Sequence, residues 1–221
     1  GNGIPKSITR SITGVDGNAA LNISVPYKTS YTQNILSVES SINIKGGTSN
    51  TSIGGAGVYG ENFTLNNNGS VWGGDGYNGG IAVSGNKISI NNYRNVYGGN
   101  GLGGSGSSGG AGLSGDDIIV DNYRSIYGGD DVGGTGGSGV TGSNITVHNS
   151  GGILGGNGVN GGDGINGSNL FITNDNMISG GYGIKQGGDA ISGNQITLNN
   201  NGIVQGGYGP DGGCSVYGED I

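Results

Sequence analysis

A sixteen-residue pattern returns seven times along this chain of 221 residues with its internal spacing unchanged, and nothing else in the sequence restricts the fold as much. One copy runs from Gly57-Val58-Tyr59-Gly60 through Phe63-Thr64-Leu65-Asn66-Asn67 to Val71-Trp72; the next runs from Ala82-Val83-Ser84-Gly85 through Ile88-Ser89-Ile90-Asn91-Asn92 to Val96-Tyr97. Later copies place an asparagine at the same point, giving a column of Asn67, Asn92, Asn122, Asn149, Asn174 and Asn200 with steps of 25, 30, 27, 25 and 26 residues. All the length variation falls in Gly-rich segments between modules. A period of this size with insertions confined to one place is the signature of a solenoid, in which each coil buries its apolar face against the next.

Composition taken alone points elsewhere, because 57 glycines in such a chain suggest low complexity or disorder. Here the glycines punctuate runs such as Ile88-Ser89-Ile90 and Ile145-Thr146-Val147, whose alternation has the period of a half-buried strand. No segment carries a helical period. The sequence therefore predicts an all-β fold, a right-handed parallel β-helix (β-solenoid) with about 25 to 30 residues per coil.

Alternation assigns directions: Val83, Ile88, Ile90 and Val96 point inward, while Ser84, Ser89, Asn91, Tyr93 and Tyr97 point outward. The glycines at 60, 85, 115, 142, 167, 193 and 218 mark a bend where a positive φ is needed. The Asn column is read as an inward structural ladder at a corner. The segments opening at Gly73, Gly98, Gly128, Gly155 and Gly180 are expected to be loops on one side, the longest, Gly98 to Ala111, protruding farthest. Residues 1–45 lack the Gly pairs and are expected to be irregular N-terminal cap coils, with strand-like runs at Leu21–Val25 and Ser41–Ile44. Residues 46–221 hold the solenoid repeats, truncated in the last coil, so the chain is expected to be a mature or trimmed piece of something longer.

The net charge is −7, divided as +2 on the first 45 residues, which include Lys6, Arg10, Lys28 and Lys45, and −9 on the repeats. An acidic surface repels phosphate backbones, so nucleic acid is not an expected partner. No apolar run approaches the ~20 residues that span a bilayer. Cys214 is the only cysteine, cannot pair within the chain, and is expected to be incidental.

The stretches NNGSVWGGDGYNGGIAVSGNKISINN and NNNGIVQGGYGPDGGCSVYG resemble the Gly-rich repeats of bacterial autotransporter adhesins. The resemblance covers about residues 46 to 221. It implies a β-helical passenger domain, secreted or displayed at the surface of a Gram-negative cell through a C-terminal outer-membrane barrel absent from this chain, with a role in adhesion, self-aggregation or biofilm formation.

Signals for chemistry are few. His148, the single histidine, sits in an outward column with Asn66, Asn91, Asp121, Thr173 and Asn199, and no G-x-S-x-G elbow or Gly-Asp-Ser-Gly run accompanies it. Asp116-Asp117 lie at a bend and Asp130-Asp131 in a loop, without the facing carboxylates a glycosidase needs. Gly73-Gly74-Asp75-Gly76-Tyr77 is only half of a calcium-binding nonapeptide, and its sixth position is Asn78. The outward column Thr64, Ser89, Ile119, Thr146, Phe171, Thr197 is too irregular to template ice. No catalytic residue, metal or cofactor is expected.

What stands out is an outward aromatic column, Trp72, Tyr97 and Tyr127, with a second holding Tyr93 and Tyr123 beside Arg94 and Arg124. Aromatic rings flanked by arginines suit sugar rings or anionic glycans. Two functions follow: non-catalytic binding of a host or bacterial surface glycan, a matrix protein or a second copy of the chain; or a structural stalk. A polysaccharide-degrading β-helix enzyme is a weaker third.

Overall fold

The computed structural model describes residues 6–23 and 34–221; Lys28 and the Ser24-Val25 end of the first strand-like run lie outside them. Among the described residues the protein is all-β, a parallel β-solenoid of about eight turns with coils about 26 residues apart and no helix. A twelve-stranded sheet carries the Phe63–Asn67 type of strand, an eight-stranded sheet the Ser70–Trp72 type, and a three-stranded sheet joins Asp131–Thr135, Gly158–Asn160 and Gly183–Gln186.

Register explains why the module spacing is invariant. Each module residue pairs with its equivalent one coil away, as in Ile88↔Ile118, Ile90↔Val120 and Val96↔Ile126, so apolar residues stack into continuous ladders. Phe63, Ile88, Ile118, Ile145 and Leu170 form one buried ladder; Val71, Val96, Ile126, Ile153 and Ile178 form the facing one. A one-residue change inside the module would turn the rest of that strand inside out. The N-terminal strands join the same ladders, with Ile12 paired to Ile44, Ile44 to Val71, and Leu36 to Leu65.

In the ten-residue strands Leu113–Asn122, Val140–Asn149 and Ile191–Asn200 the bend is built from two stacked columns. Gly115 has φ +150°, and a Cβ there would lie 1.8 Å from the carbonyl oxygen of Gly85 on the coil below. Two residues later a second column, Asn62, Lys87, Asp117, Asn144, Asn169 and Gln195, adopts φ between 52° and 54°, the left-handed conformation that Asn and Asp tolerate best. The alternating pattern does not announce this column. Its side chains are tied along the axis, Asn144 Nδ2 to Asp117 Oδ1 at 2.9 Å and Asn169 Nδ2 to Asn144 Oδ1 at 2.6 Å.

The Gly-rich segments are not the free loops that their variable length suggests. From Gly46 to Gly213 each coil contains two Gly pairs, such as Gly73-Gly74 and Gly79-Gly80, and their backbones face each other across the coil at hydrogen-bonding distance. The N–H of Gly80 donates to the oxygen of Gly74 (2.7 Å), Gly99 to Gly80 (2.8 Å), Gly110 to Gly99 (2.8 Å), and the zigzag continues to Gly213 and Gly207 (3.0 Å). This half of the coil contains a seam of backbone bonds where a side-chain core would otherwise be. A Cβ at Gly99 would sit 2.0 Å from Gly74 O and one at Gly129 1.9 Å from Gly99 O. Only the surplus residues bulge out. Gly104, Ser105 and Gly106 are exposed in the longest segment, and a register shift between Asp131 and Thr135 absorbs the next longest. Asp131, expected in a loop, instead begins a strand and is buried, its Oδ1 accepting the N–H groups of Gly133 and Gly134 at 2.9 Å.

Burial pushes the Asp163 carboxyl above the usual range; hydrogen bonds from the Asn166 side chain and the Asp189 N–H pull it back, and the Asp189 charge pushes it up again. A pKa raised in the folded state means that this group's contribution to stability is fully present below its ordinary value and is lost as pH rises through the raised one. Asp163→Asn keeps an acceptor for the Asp189 N–H, which Asp163 Oδ1 receives at 2.8 Å, and its new amide can donate to Asn166 once that side chain turns its oxygen to the position from which Nδ2 now donates to Asp163 Oδ2 (2.7 Å). The variant is therefore expected to be more stable than the parent at neutral pH, with the difference shrinking toward about pH 4. Urea unfolding at the two pH values measures it, and a parent no less stable than the variant at neutrality would refute it.

Candidate functional site: an axial groove

The aromatic column closes the strands Ser70–Trp72, Asn95–Tyr97 and Ser125–Tyr127, and the register places Trp72, Tyr97 and Tyr127 directly above one another. Each is followed by two glycines and then by Asp75, Asn100 or Asp130. The glycines put no side chain on the surface, so the aromatic column and the Asx column stand as two walls with a bare backbone floor. The result is a groove of about 440 Å³ running along the axis, with Leu154 and Asn157 continuing the walls upward. At ~4.8 Å per coil it extends about 20 Å.

Both ends are closed by contacts between the walls. At the lower end Lys45, the register partner of Trp72, reaches across to Asp75 with Nζ 3.1 Å from Oδ2. At the upper end the aromatic changes sides, and Gln205 Nε2 donates to the Tyr208 hydroxyl at 2.8 Å. The Asx wall is rigid because each side chain accepts the backbone N–H of its successor. Asn100 N donates to Asp75 Oδ1 (2.8 Å), Asp130 N to Asn100 Oδ1 (3.1 Å), Asn157 N to Asp130 Oδ1 (2.7 Å) and Tyr182 N to Asn157 Oδ1 (2.9 Å). The second atom of each group, Asn100 Nδ2, Asp130 Oδ2 and Asn157 Nδ2, makes no hydrogen bond among the described residues.

The rings do not offer their faces as the sequence suggests. Trp72 and Tyr97 are stacked at 3.8 Å between centroids and 18° between planes, and Tyr97 and Tyr127 at 5.0 Å and 5°. Both faces of Tyr97 are therefore covered by neighbours, and the groove meets ring edges and phenol oxygens. Tyr97 Oη accepts from Asn95 Nδ2 at 2.7 Å, whereas the Tyr127 hydroxyl makes no hydrogen bond among the described residues. Since Lys45 is neutralised by Asp75, the uncompensated charge of the walls is Asp130, which disfavours an anionic ligand here.

Of the seven residues singled out from the sequence, the groove brings together Trp72, Tyr97 and Tyr127. Tyr93, Arg94, Tyr123 and Arg124 lie apart, on the turn between the two strands of the module, and Tyr93 stacks on Tyr123 at 5.0 Å and 1°. The Asx wall escaped the sequence reading, although the recurring order aromatic, Gly, Gly, Asx was there to find it.

The six column asparagines lie inward at the corner between the two main sheets. All but Asn200 are buried, and each Nδ2 donates to the next Oδ1 at 2.7 to 2.8 Å, from Asn67 to Asn92 through Asn174 to Asn200. His148 is exposed and its Nδ1 lies 2.8 Å from Asp121 Oδ1 one coil below. Among the described residues no group of three or more His, Cys, Asp or Glu could hold a metal ion. Cys214 is a free, exposed thiol whose N–H donates to Asp189 Oδ1. Compared with protein-family models, curated proteins and solved structures, the chain gives no match.

Proposed function

We propose that this chain is a segment of a β-helical passenger of a Gram-negative autotransporter adhesin, secreted or held at the cell surface, and that it binds a surface glycan or matrix protein without catalysis. The observation that supports the binding reading is the groove itself. Its edge-on phenols and its amide nitrogens recur along the axis beside a single uncompensated carboxylate, Asp130, and suit a neutral, hydroxyl-rich chain laid along it. Face-to-face stacking of Trp72, Tyr97 and Tyr127 favours the second reading, a rigid stalk that projects another segment, because it gives the aromatics a purely structural task.

An array of glycans and matrix proteins probed with the purified chain separates the two. Saturable binding to a neutral glycan is expected, and the double variant Tyr127→Phe/Asp130→Asn should weaken it about tenfold, as loss of two hydrogen bonds worth ~0.5–1.5 kcal/mol each would do. The variant keeps the stacked ring and the acceptor for Asn157 N, so its fold is retained. No saturable binding by the parent chain would leave the stalk.

A further inference from the structure

The corner between the two main strands of the module breaks the acidic pattern of the molecule. From residue 46 onward the chain has four cations against thirteen carboxylates, and two of the four, Arg94 and Arg124, occupy the same corner position on adjacent coils. The pairs Asn92↔Asn122 and Asn95↔Ser125 bracket them in register, so the two side chains leave the backbone one coil apart, ~4.8 Å. Both are exposed, and neither makes a side-chain hydrogen bond or ion pair among the described residues.

Like charges directly opposed on neighbouring strands destabilise a sheet, the same repulsion acts between stacked turns, and among the described residues no carboxylate pairs with these two. The carboxylates of the same coil are engaged elsewhere: Asp121 with His148, Asp116 with Ser143 and Asp117 with Asn144. Tyr93 and Tyr123, also exposed, hold their rings parallel beside the arginines through their mutual stack. The ridge thus presents two guanidinium forks and two phenols at one spacing, a donor set matched to a planar or tetrahedral oxyanion.

We propose that Arg94 and Arg124, with Tyr93 and Tyr123, bind the sulfate or carboxylate groups of an acidic polysaccharide. This rests on the binding reading above and adds to it a charge-selective site separate from the groove. The site spans only two coils and is surrounded by an acidic molecule. A saccharide with spaced anions can place one group on the pair and neutral hydroxyls elsewhere, whereas a duplex brings one phosphate charge per ~1.7 Å against the acidic remainder.

The test measures binding of dextran sulfate, polygalacturonate, unsubstituted dextran and duplex DNA at about 50 mM salt, where charge contacts are strong. The parent should bind at least one of the two acidic polysaccharides, and Arg94→Gln/Arg124→Gln should weaken that binding about tenfold or more while leaving the β-sheet circular dichroism unchanged. The groove variant Tyr127→Phe/Asp130→Asn should bind the acidic chain as the parent does, even if neutral glycans prove not to bind at all. No binding by the parent, equal binding by the double Gln variant, loss in the groove variant, or duplex DNA bound as tightly as the polysaccharide would each overturn the proposal.

Discussion

Gly129→Ala is expected to lower the unfolding free energy by about 3 kcal/mol or more, a large loss for one methyl group. The new Cβ would lie 1.9 Å from the carbonyl oxygen and 2.6 Å from the carbonyl carbon of Gly99 on the coil below. Those atoms belong to backbone, so no rotamer change relieves the clash. Gly99 also accepts from Gly110, which in turn accepts from Gly129, and moving it breaks a bond in the seam on both sides. In a solenoid each coil is held only by its neighbours, and a defect in the middle of the rod weakens the coupling between its halves. Gly104→Ala is the matched control, since a Cβ there meets nothing within 4 Å, and its effect should stay within about 0.5 kcal/mol. Urea titrations of the three proteins decide the matter. Equal midpoints would mean that Gly129 and Gly99 are farther apart than described.

The second large effect is expected in the asparagine ladder. The Asn122 amide donates to Asn149 Oδ1 (2.8 Å) and the Gly152 carbonyl (3.1 Å), and its oxygen accepts from Asn92 Nδ2 (2.8 Å), all in a fully buried site. Asn122→Leu leaves Asn149 Oδ1 without its donor, takes the amide from the Gly152 carbonyl and reduces Asn92 Nδ2 to its longer bond to Ser125 O (3.3 Å), all away from water. Each buried orphan costs about 1–3 kcal/mol, so a loss of about 3 kcal/mol or more is expected. The foot of the ladder should behave differently. Asn67 pairs with Val38, which offers no donor, and its Oδ1 is already buried without a partner. Asn67→Val therefore moves one orphan up to Asn92 instead of creating several, and extends the apolar run begun by Val38. Its loss should be about 1 kcal/mol. Thermal or urea unfolding that ranks Asn67→Val at or above Asn122→Leu would show that the ladder is not a cooperative chain of bonds.

These two sites show why some of the molecule was legible in the sequence and some was not. The asparagine column could be read because a side chain marks it at a fixed distance from Leu65, Ile90 and their equivalents. The glycine seam could not, because it is made of N–H and carbonyl groups that every residue carries, and the missing side chains looked like freedom instead of contact. Variable length argued for loops, yet the surplus collects at Gly104–Gly106 and in the bulge before Thr135, while the paired glycines on either side stay in register. Asp131 lies buried in a strand and not in a loop for the same reason.

The candidate site divides along similar lines. Alternation put Trp72, Tyr97 and Tyr127 on the outside and in one column, which follows from strand geometry and a constant module length. That their rings would lie flat on one another depends on the close spacing of the coils, and stacking turned the ring faces away from any ligand. The second wall of the groove arose because Gly73-Gly74 and its equivalents fold inward into the seam, which brings Asp75, Asn100 and Asp130 round to face the aromatics.

Period, strand content and the apolar ladders were determined by the sequence alone, since they depend on spacing and side-chain polarity, which are written residue by residue. The closure of the Gly-rich half, the covered faces of the aromatics, the capped ends of the groove at Lys45–Asp75 and Gln205–Tyr208, and the isolation of Arg94 and Arg124 were decided only by the tertiary structure. Each of these depends on how far apart two surfaces come to rest, a distance set by the packing of whole coils and encoded in no single segment.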